Sequence, residues 1–267
     1  ATALAEAVLM AVRVNKHSKT NRVLVAGTVH PLYRETLETV VRTQHIEVIT
    51  LPFDEKEGIT ALSALDKYQG EDITALIIAQ PNFFGCLEQV DAISDWAYAN
   101  RTVSIACVNP ISLALLKPPG QWGSRGVDIV CGEGQSIGLP MSFGGPHLGF
   151  FACKEQYLRQ MPGRLCGMTE DAAGKRGFVH TLSTREQHIR RDKATSNICT
   201  NQGLCALAFT VHMSLLGEDG FRQLAKLNHE AACRTVDAVT KIKGVKLVTP
   251  EFFNEFTVEL TKPAKDV

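Results

Sequence analysis

What the chain does without narrows its function first. It has no net charge, because 28 Lys and Arg balance 28 Asp and Glu among 267 residues. No global field therefore favours nucleic acid or an anionic membrane surface. No apolar run approaches the roughly 20 residues that span a bilayer. The eight cysteines include no C-x-x-C. Several sit in apolar strand-like runs such as V-S-I-A-C-V, where a free thiol behaves as a small hydrophobe. With no signal-peptide pattern, reduced thiols in a cytoplasmic setting are predicted, without disulfides or a metal site. No G-x-G-x-x-G opens a helix after the first strand, and no G-x-x-x-x-G-K-[ST] occurs, so dinucleotide and P-loop nucleotide binding lack support. A hydrophobic content of 45% is ordinary for a globular protein, and the length allows one large domain or a large and a small one.

Helical and strand patterns alternate along the chain. An apolar helix over Ala3–Val14 begins with no cap ahead of it, and the far end stops in T-K-P-A-K-D-V, so a piece of something longer is expected. N-R-V-L-V-A-G, I-E-V-I-T-L-P, I-T-A-L-I-I-A and T-V-S-I-A-C-V read as buried strands. Helices are expected at His30–Arg42, Ile59–Tyr68 and Cys86–Asn100 between them. G-V-D-I-V-C and L-G-F-F-A-C add two strands. This rhythm predicts an α/β domain with a mostly parallel sheet and helices on both faces. Beyond it, helices over Ile198–Leu216 and Phe221–Lys243 flank the stop G-E-D-G. Strand-like pieces at Val245–Val248 and Phe256–Leu260 come last. The expected division is a large domain over 1–216 and an incomplete small α+β domain over 217–267.

Ligands of doubly wound sheets gather at the carboxyl ends of the strands. Those ends are Gly27–His30, Gln80–Gly85, Asn109–Ser112 and Gly132–Gly145. The last is a loop with six glycines between Gly132 and Gly149, a density that suits close approach of a ligand or a second subunit. The segment T-R-E-Q-H-I-R-R-D-K-A-T-S-N-I-C-T-N-Q, Thr184 to Gln202, packs Arg185, His188, Arg190, Arg191 and Lys193 into nine residues. Ser196 and Asn197 follow as candidate caps of the next helix. Guanidinium groups beside a helix N-terminus suit a phosphate or carboxylate. A solvated charged face is the bland alternative. His147 and His188 are candidates for acid–base work.

The basic segment, together with Q-P-N-F-F-G, L-K-P-P-G, G-E-G-Q-S-I-G-L-P-M-S-F-G-G-P-H-L-G-F-F-A and M-P-G-R-L-C-G-M-T-E-D-A-A-G-K-R-G-F, resembles the glycine dehydrogenase (decarboxylating) family. These are the P-proteins of the glycine cleavage system, and the likeness is greatest to the α subunit, subunit 1, of the two-subunit bacterial form. It covers essentially the whole chain. The resemblance implies the fold of type I pyridoxal-phosphate enzymes, with a seven-stranded mixed sheet and a smaller C-terminal domain. It also implies that glycine loses its carboxylate as carbon dioxide on pyridoxal phosphate, and that the aminomethyl group passes to the lipoyl arm of the H-protein.

In that register Gln135 stands at the family's histidine and Ser136 at its Schiff-base lysine. A serine cannot form that imine. Asn109 stands where many relatives carry the aspartate that holds the pyridine nitrogen protonated. No catalytic residue is therefore assigned to this chain, and the resemblance implies a β subunit that holds the cofactor covalently in a tetramer of two α and two β. By the same analogy Ser142, Phe143, Gly144 and Gly145 would point at the partner's cofactor phosphate. Arg185, His188, Arg190, Arg191, Lys193, Ser196 and Asn197 would face the glycine carboxylate, the phosphate or the H-protein. The alternatives are a structural or regulatory pseudoenzyme, and a stand-alone aminotransferase or lyase that uses another lysine.

Overall fold

The computed structural model describes residues 1–198, 202–249 and 251–267. Six strands form the main sheet: β1 (Arg22–Ala26), β2 (Glu47–Leu51), β3 (Ala75–Gln80), β4 (Val103–Val108), β5 (Ile129–Glu133) and β6 (Gly149–Cys153). Their order is β2-β1-β3-β4-β5-β6. Every neighbouring pair is parallel except β5 with β6. The expected α/β class and mixed, mostly parallel sheet are present, with six strands among the described residues rather than seven.

Alternation along the strands divides the core into two layers. Val23, Val25, Ile77, Ile105 and Ile129 point to the face covered by α1 (Thr2–Val14) and α2 (Pro31–Val41). Leu24, Leu76 and Ile78 point to the other face, where α3 (Val90–Ala99) contributes Ile93 and Ala97. Every residue of β3 and β4 is buried, as a strand covered on both faces requires.

Two expected helices need correction, and one hairpin was not expected. The helix expected at Ile59–Tyr68 is a 3-10 turn over Leu62–Tyr68, because Ile59 pairs with Asp54 in an isolated bridge. Residues 86–89 are not helical, and α3 starts at Val90. There Cys86 bridges Phe252, and Gln80 Oε1 accepts a hydrogen bond from the Glu88 N–H at 2.9 Å. M-P-G-R-L-C-G-M-T-E-D-A-A-G-K-R-G-F yields a hairpin, β7 (Leu165–Glu170) with β8 (Arg176–Thr181). It is closed by Asp171 Oδ1, which accepts from the Ala173 and Lys175 N–H groups.

A four-residue helix, α4 (Gln187–Arg190), precedes the long α5 (Gly203–Val239). Gly217, at φ 61° and ψ −169°, kinks α5 at the start of the expected stop. A short hairpin, β9 (Val245–Leu247) with β10 (Val258–Leu260), follows. The predicted start of this helix at Ile198–Asn201 falls partly on residues outside those described. The C-terminal part docks on the sheet's carboxyl edge. Phe253 packs with Ile111, Ile137 and Ala225, and the Thr257 hydroxyl donates to the Phe84 carbonyl at 2.8 Å.

One buried carboxylate ties that edge together. Glu88 is 5% exposed. Its Oε1 accepts from Thr28 Oγ1 (2.7 Å), Asn82 Nδ2 (2.8 Å) and Thr60 Oγ1 (3.2 Å), and its Oε2 from the Thr60 N–H (2.9 Å). Asn82 Oδ1 in turn accepts from the N–H groups of Phe84 and Cys86, which shapes the turn that ends β3. Gly85 completes the turn at φ 89°. A Cβ there would land on the Glu255 carbonyl oxygen.

Glu88→Ala would leave buried donors unpaired and is expected to cost about 2–4 kcal/mol in urea unfolding. Glu88→Gln, which keeps one acceptor, should cost less. Equal and negligible losses for both would remove the network from the account. Gly85→Ala is expected to cost about 1–3 kcal/mol and to raise amide exchange selectively at Phe252–Thr257. Unchanged exchange there would show that the close approach is dispensable.

Candidate functional site

The carboxyl ends of four strands meet around a pocket of about 360 Å³. β1 leads to His30, the residue that caps α2 by accepting the Leu32 N–H at its Nδ1 (3.1 Å), with Tyr33 one turn on. β3 supplies Ala79, Pro81, Asn82 and Phe83, and β4 supplies Cys107, Val108 and Asn109. β5 supplies Glu133, Gln135 and Ser136, and Glu255 closes the wall from the C-terminal part. The predicted strand-end loops thus converge, and both Asn109 and Ser136 lie in the pocket.

Its chemistry is aromatic and acidic. The His30 ring stacks on Tyr33 with centroids 4.9 Å apart and meets Phe83 edge-on at 4.8 Å. Glu133 Oε1 accepts from the Leu148 N–H (2.6 Å) and the Gln135 N–H (3.0 Å), which fixes the carboxylate at the end of its strand. His147 Nδ1 lies 3.7 Å from Glu133 Oε2 but is not part of the pocket wall. Asn109 Oδ1 accepts the Ile111 N–H at 3.0 Å, which turns that oxygen to the turn after β4. Cys107 and Cys131 stand opposite each other in the β4–β5 register. Burial, then the neighbouring Cys107, Glu133, Cys131 and Glu255, push the Tyr33 hydroxyl up to about 12. No lysine or arginine is among the wall residues.

The basic segment lies elsewhere, and none of its described residues lines this pocket. Arg185 turns inward: Nη1 donates to the Met161 carbonyl and Nη2 to the Gly163 carbonyl at 2.7 Å. Its half-buried neighbour Arg13 has a pKa lowered by burial, an effect that Glu6 opposes and Arg185 reinforces. Arg190 Nε donates to the Thr184 carbonyl at 3.1 Å. His188, Arg191 and Asn197 share a shallow cleft with Gln187 and Asp192, while Lys193 is exposed.

The predicted capping role of Ser196 and Asn197 does not hold. α5 starts at Gly203 with Gln202 at its N-cap and no side-chain cap bond. Ser196 Oγ instead accepts the Ile198 N–H at 3.1 Å, a local turn that competes with helix. Cys199, Thr200 and Asn201 fall outside the described residues.

The glycine-rich loop is exposed at its tip. Ser142 and Phe143 have φ of 40° and 56°, and Gly144 has φ 107°. A Cβ on Gly144 or Gly145 would meet nothing within 4 Å, so internal packing does not explain glycine at either position. The Phe143 side chain is wholly exposed. Sequence reasoning missed Glu88, Glu133 and Glu255. Of these only Glu133 carried a signal, its place at the end of a strand.

All 267 residues match the sequence model of the family described as Glycine cleavage system P-protein. The chain is 64% identical over 268 residues to a probable glycine dehydrogenase (decarboxylating) subunit 1 of Legionella pneumophila, covering 100% of this chain and 59% of that protein. A relative of the same description from Nitrosomonas europaea is 53% identical with the same coverage. The chain therefore spans about three fifths of the curated relatives' length. A crystal structure of glycine decarboxylase (P-protein) of the glycine cleavage system, in inhibitor-bound form, is similar at TM-score 0.91 and 42% identity, over 99% of this chain and 58% of that one. A sphingosine-1-phosphate lyase of Burkholderia pseudomallei shares the fold alone, at TM-score 0.64 and 15% identity. The architecture is that of the type I pyridoxal-phosphate enzymes, and the match along its whole length places the chain in the family of glycine cleavage system P-proteins.

Proposed function

We propose that this chain belongs to the α subunit of a two-subunit glycine dehydrogenase (decarboxylating), acting with a β subunit that carries pyridoxal phosphate on a lysine. The pair would release carbon dioxide from glycine and pass the aminomethyl group to the lipoyl arm of the H-protein. A cytoplasmic tetramer of two α and two β, with a domain division near the Gly217 kink, belongs to the same reading. The observation that carries it is the chemistry of the sheet-edge pocket. Pyridoxal phosphate does not fit there, because among the described residues the wall offers Ser136 and no amine, an amide at Asn109 that carries no charge to hold a pyridinium, and two carboxylates where a phosphate would need cations.

Two surfaces support a role completed by a partner. On α5 the exposed Leu204, Leu207, Val211 and Leu215 recur at helical spacing as one apolar stripe. The tip at Met141 and Phe143 is also exposed and apolar. Ser142–Gly145 is the loop assigned toward the partner's cofactor phosphate, and its open Gly144 and Gly145 leave room for such an approach. Among the cations, Arg190, Arg191, His188 and Lys193 remain exposed to meet a carboxylate, a phosphate or the H-protein. Arg185 is assigned instead to holding the Met161–Gly163 carbonyls.

Two experiments test the reading. The purified chain titrated with pyridoxal phosphate should show no chromophore that borohydride fixes to protein, whereas the complex with β should show one that maps to β. A covalent adduct on this chain would overturn the assignment. In the reconstituted complex, Arg190→Ala and Arg191→Ala should lower glycine-dependent carbon dioxide exchange about tenfold or more at unchanged assembly, the loss of one charge-assisted contact. Unchanged kinetics in both would favour a scaffold role.

A further inference from the structure

The sheet-edge pocket is not merely unsuited to a phosphate; its groups are arranged as a receptor for positive charge. Glu133 is held by two backbone N–H groups on Oε1, which orients the carboxylate, and His147 Nδ1, outside the pocket wall, lies 3.7 Å from Oε2. Glu255 also lines the cavity, its backbone fixed against Gly85. His30, Tyr33 and Phe83 form a continuous aromatic wall between strand ends. Ring faces attract ammonium groups, most strongly where water is excluded.

Two further features have no use within the chain. The Gln135 side chain lines the pocket, yet its Nε2 is buried with no hydrogen-bond partner. A buried donor left unpaired costs free energy that an incoming acceptor would recover. Tyr33, its pKa pushed up to about 12 first by burial and then by the neighbouring Cys107, Glu133, Cys131 and Glu255, lies within reach of both carboxylates of the wall. The volume of about 360 Å³ lies in the range of small-molecule sites.

We propose that this pocket binds a small organic ammonium ion that also carries a neutral hydrogen-bond acceptor. The charged end sits between Glu133 and Glu255 against the aromatic wall, and the acceptor meets Gln135. The inference concerns this chain's own pocket and stands whether or not the partner performs the reaction proposed above.

The test is isothermal titration of the assembled protein with ethanolamine and with tetramethylammonium, using acetate and inorganic phosphate as controls. Ethanolamine should bind, and Glu133→Gln and Glu255→Gln should each weaken it about tenfold or more. Gln can still accept the Leu148 and Gln135 N–H groups at residue 133, and unchanged thermal unfolding verifies that each variant is folded. Gln135→Leu should weaken ethanolamine but spare tetramethylammonium, which has no acceptor to offer. Amine binding that is absent in the folded wild type, or indifferent to all three substitutions, overturns the proposal. So does phosphate binding that strengthens or persists in this pocket while the amines fail.

Discussion

The carboxyl edge of the sheet depends on a carboxylate buried without a cation. A charge so placed is tolerable only when its lone pairs are filled by donors. Glu88 gathers those donors from the end of β1 (Thr28), the loop after β2 (Thr60) and the turn after β3 (Asn82). Three strand ends that parallel pairing leaves free to splay are thereby drawn to one point. The consequences run outward. Asn82 fixes the Phe83–Phe84 turn, Phe83 becomes a wall of the pocket, and Gly85 lets the Glu255 backbone come close enough for Glu255 to join Glu133 in the pocket wall.

That arrangement separates the fold from the chemistry the fold usually hosts. The two core layers rest on Val, Ile, Leu and Ala side chains of β1, β3 and β4, and nothing in them requires a lysine at residue 136 or an aspartate at 109. The edge can therefore keep its geometry while its electrostatics change sign. A phosphate in this pocket would face two carboxylates at short range in a partly dry site, where Coulomb terms are several times larger than in bulk water. The apolar core holds the sheet in either case, and the polar rim alone decides which ligands are admitted.

The same separation governs how much was legible in the sequence. β1, β3 and β4 were readable because strands covered on both faces leave unbroken apolar runs, and α1 because its apolar positions repeat with the helical period. β7 and β8 were missed because L-C-G-M-T-E and R-G-F-V-H-T lie apart from the main sheet, so little apolar burial marks them. The loop convergence at Asn109 and Ser136 was legible from a topological rule. Glu88 was not, because its partners lie 6 to 60 residues away and nothing local distinguishes it from a surface glutamate. Ser196 and Asn197 have the right residue types for a cap, yet side chains of that kind also form local turns. A short-range hydrogen bond from the Ile198 N–H takes the serine, and α5 begins only at Gly203.

The basic segment shows why a charge cluster cannot be assigned as a unit. Arg185 is half-buried and its guanidinium serves two backbone carbonyls beside Arg13. Arg190, Arg191, His188 and Lys193 face outward. The first is tied to the fold and the others are exposed, although only four residues separate Arg185 from Arg190. With acidic groups concentrated in the pocket and free cations on the exposed segment, a chain of zero net charge carries a marked internal asymmetry. In the proposed assembly that asymmetry has a direction. Anionic ligands are turned away from this chain's own cavity and attracted to its outer cations, which is the distribution expected of a subunit that contributes to a site lying outside itself.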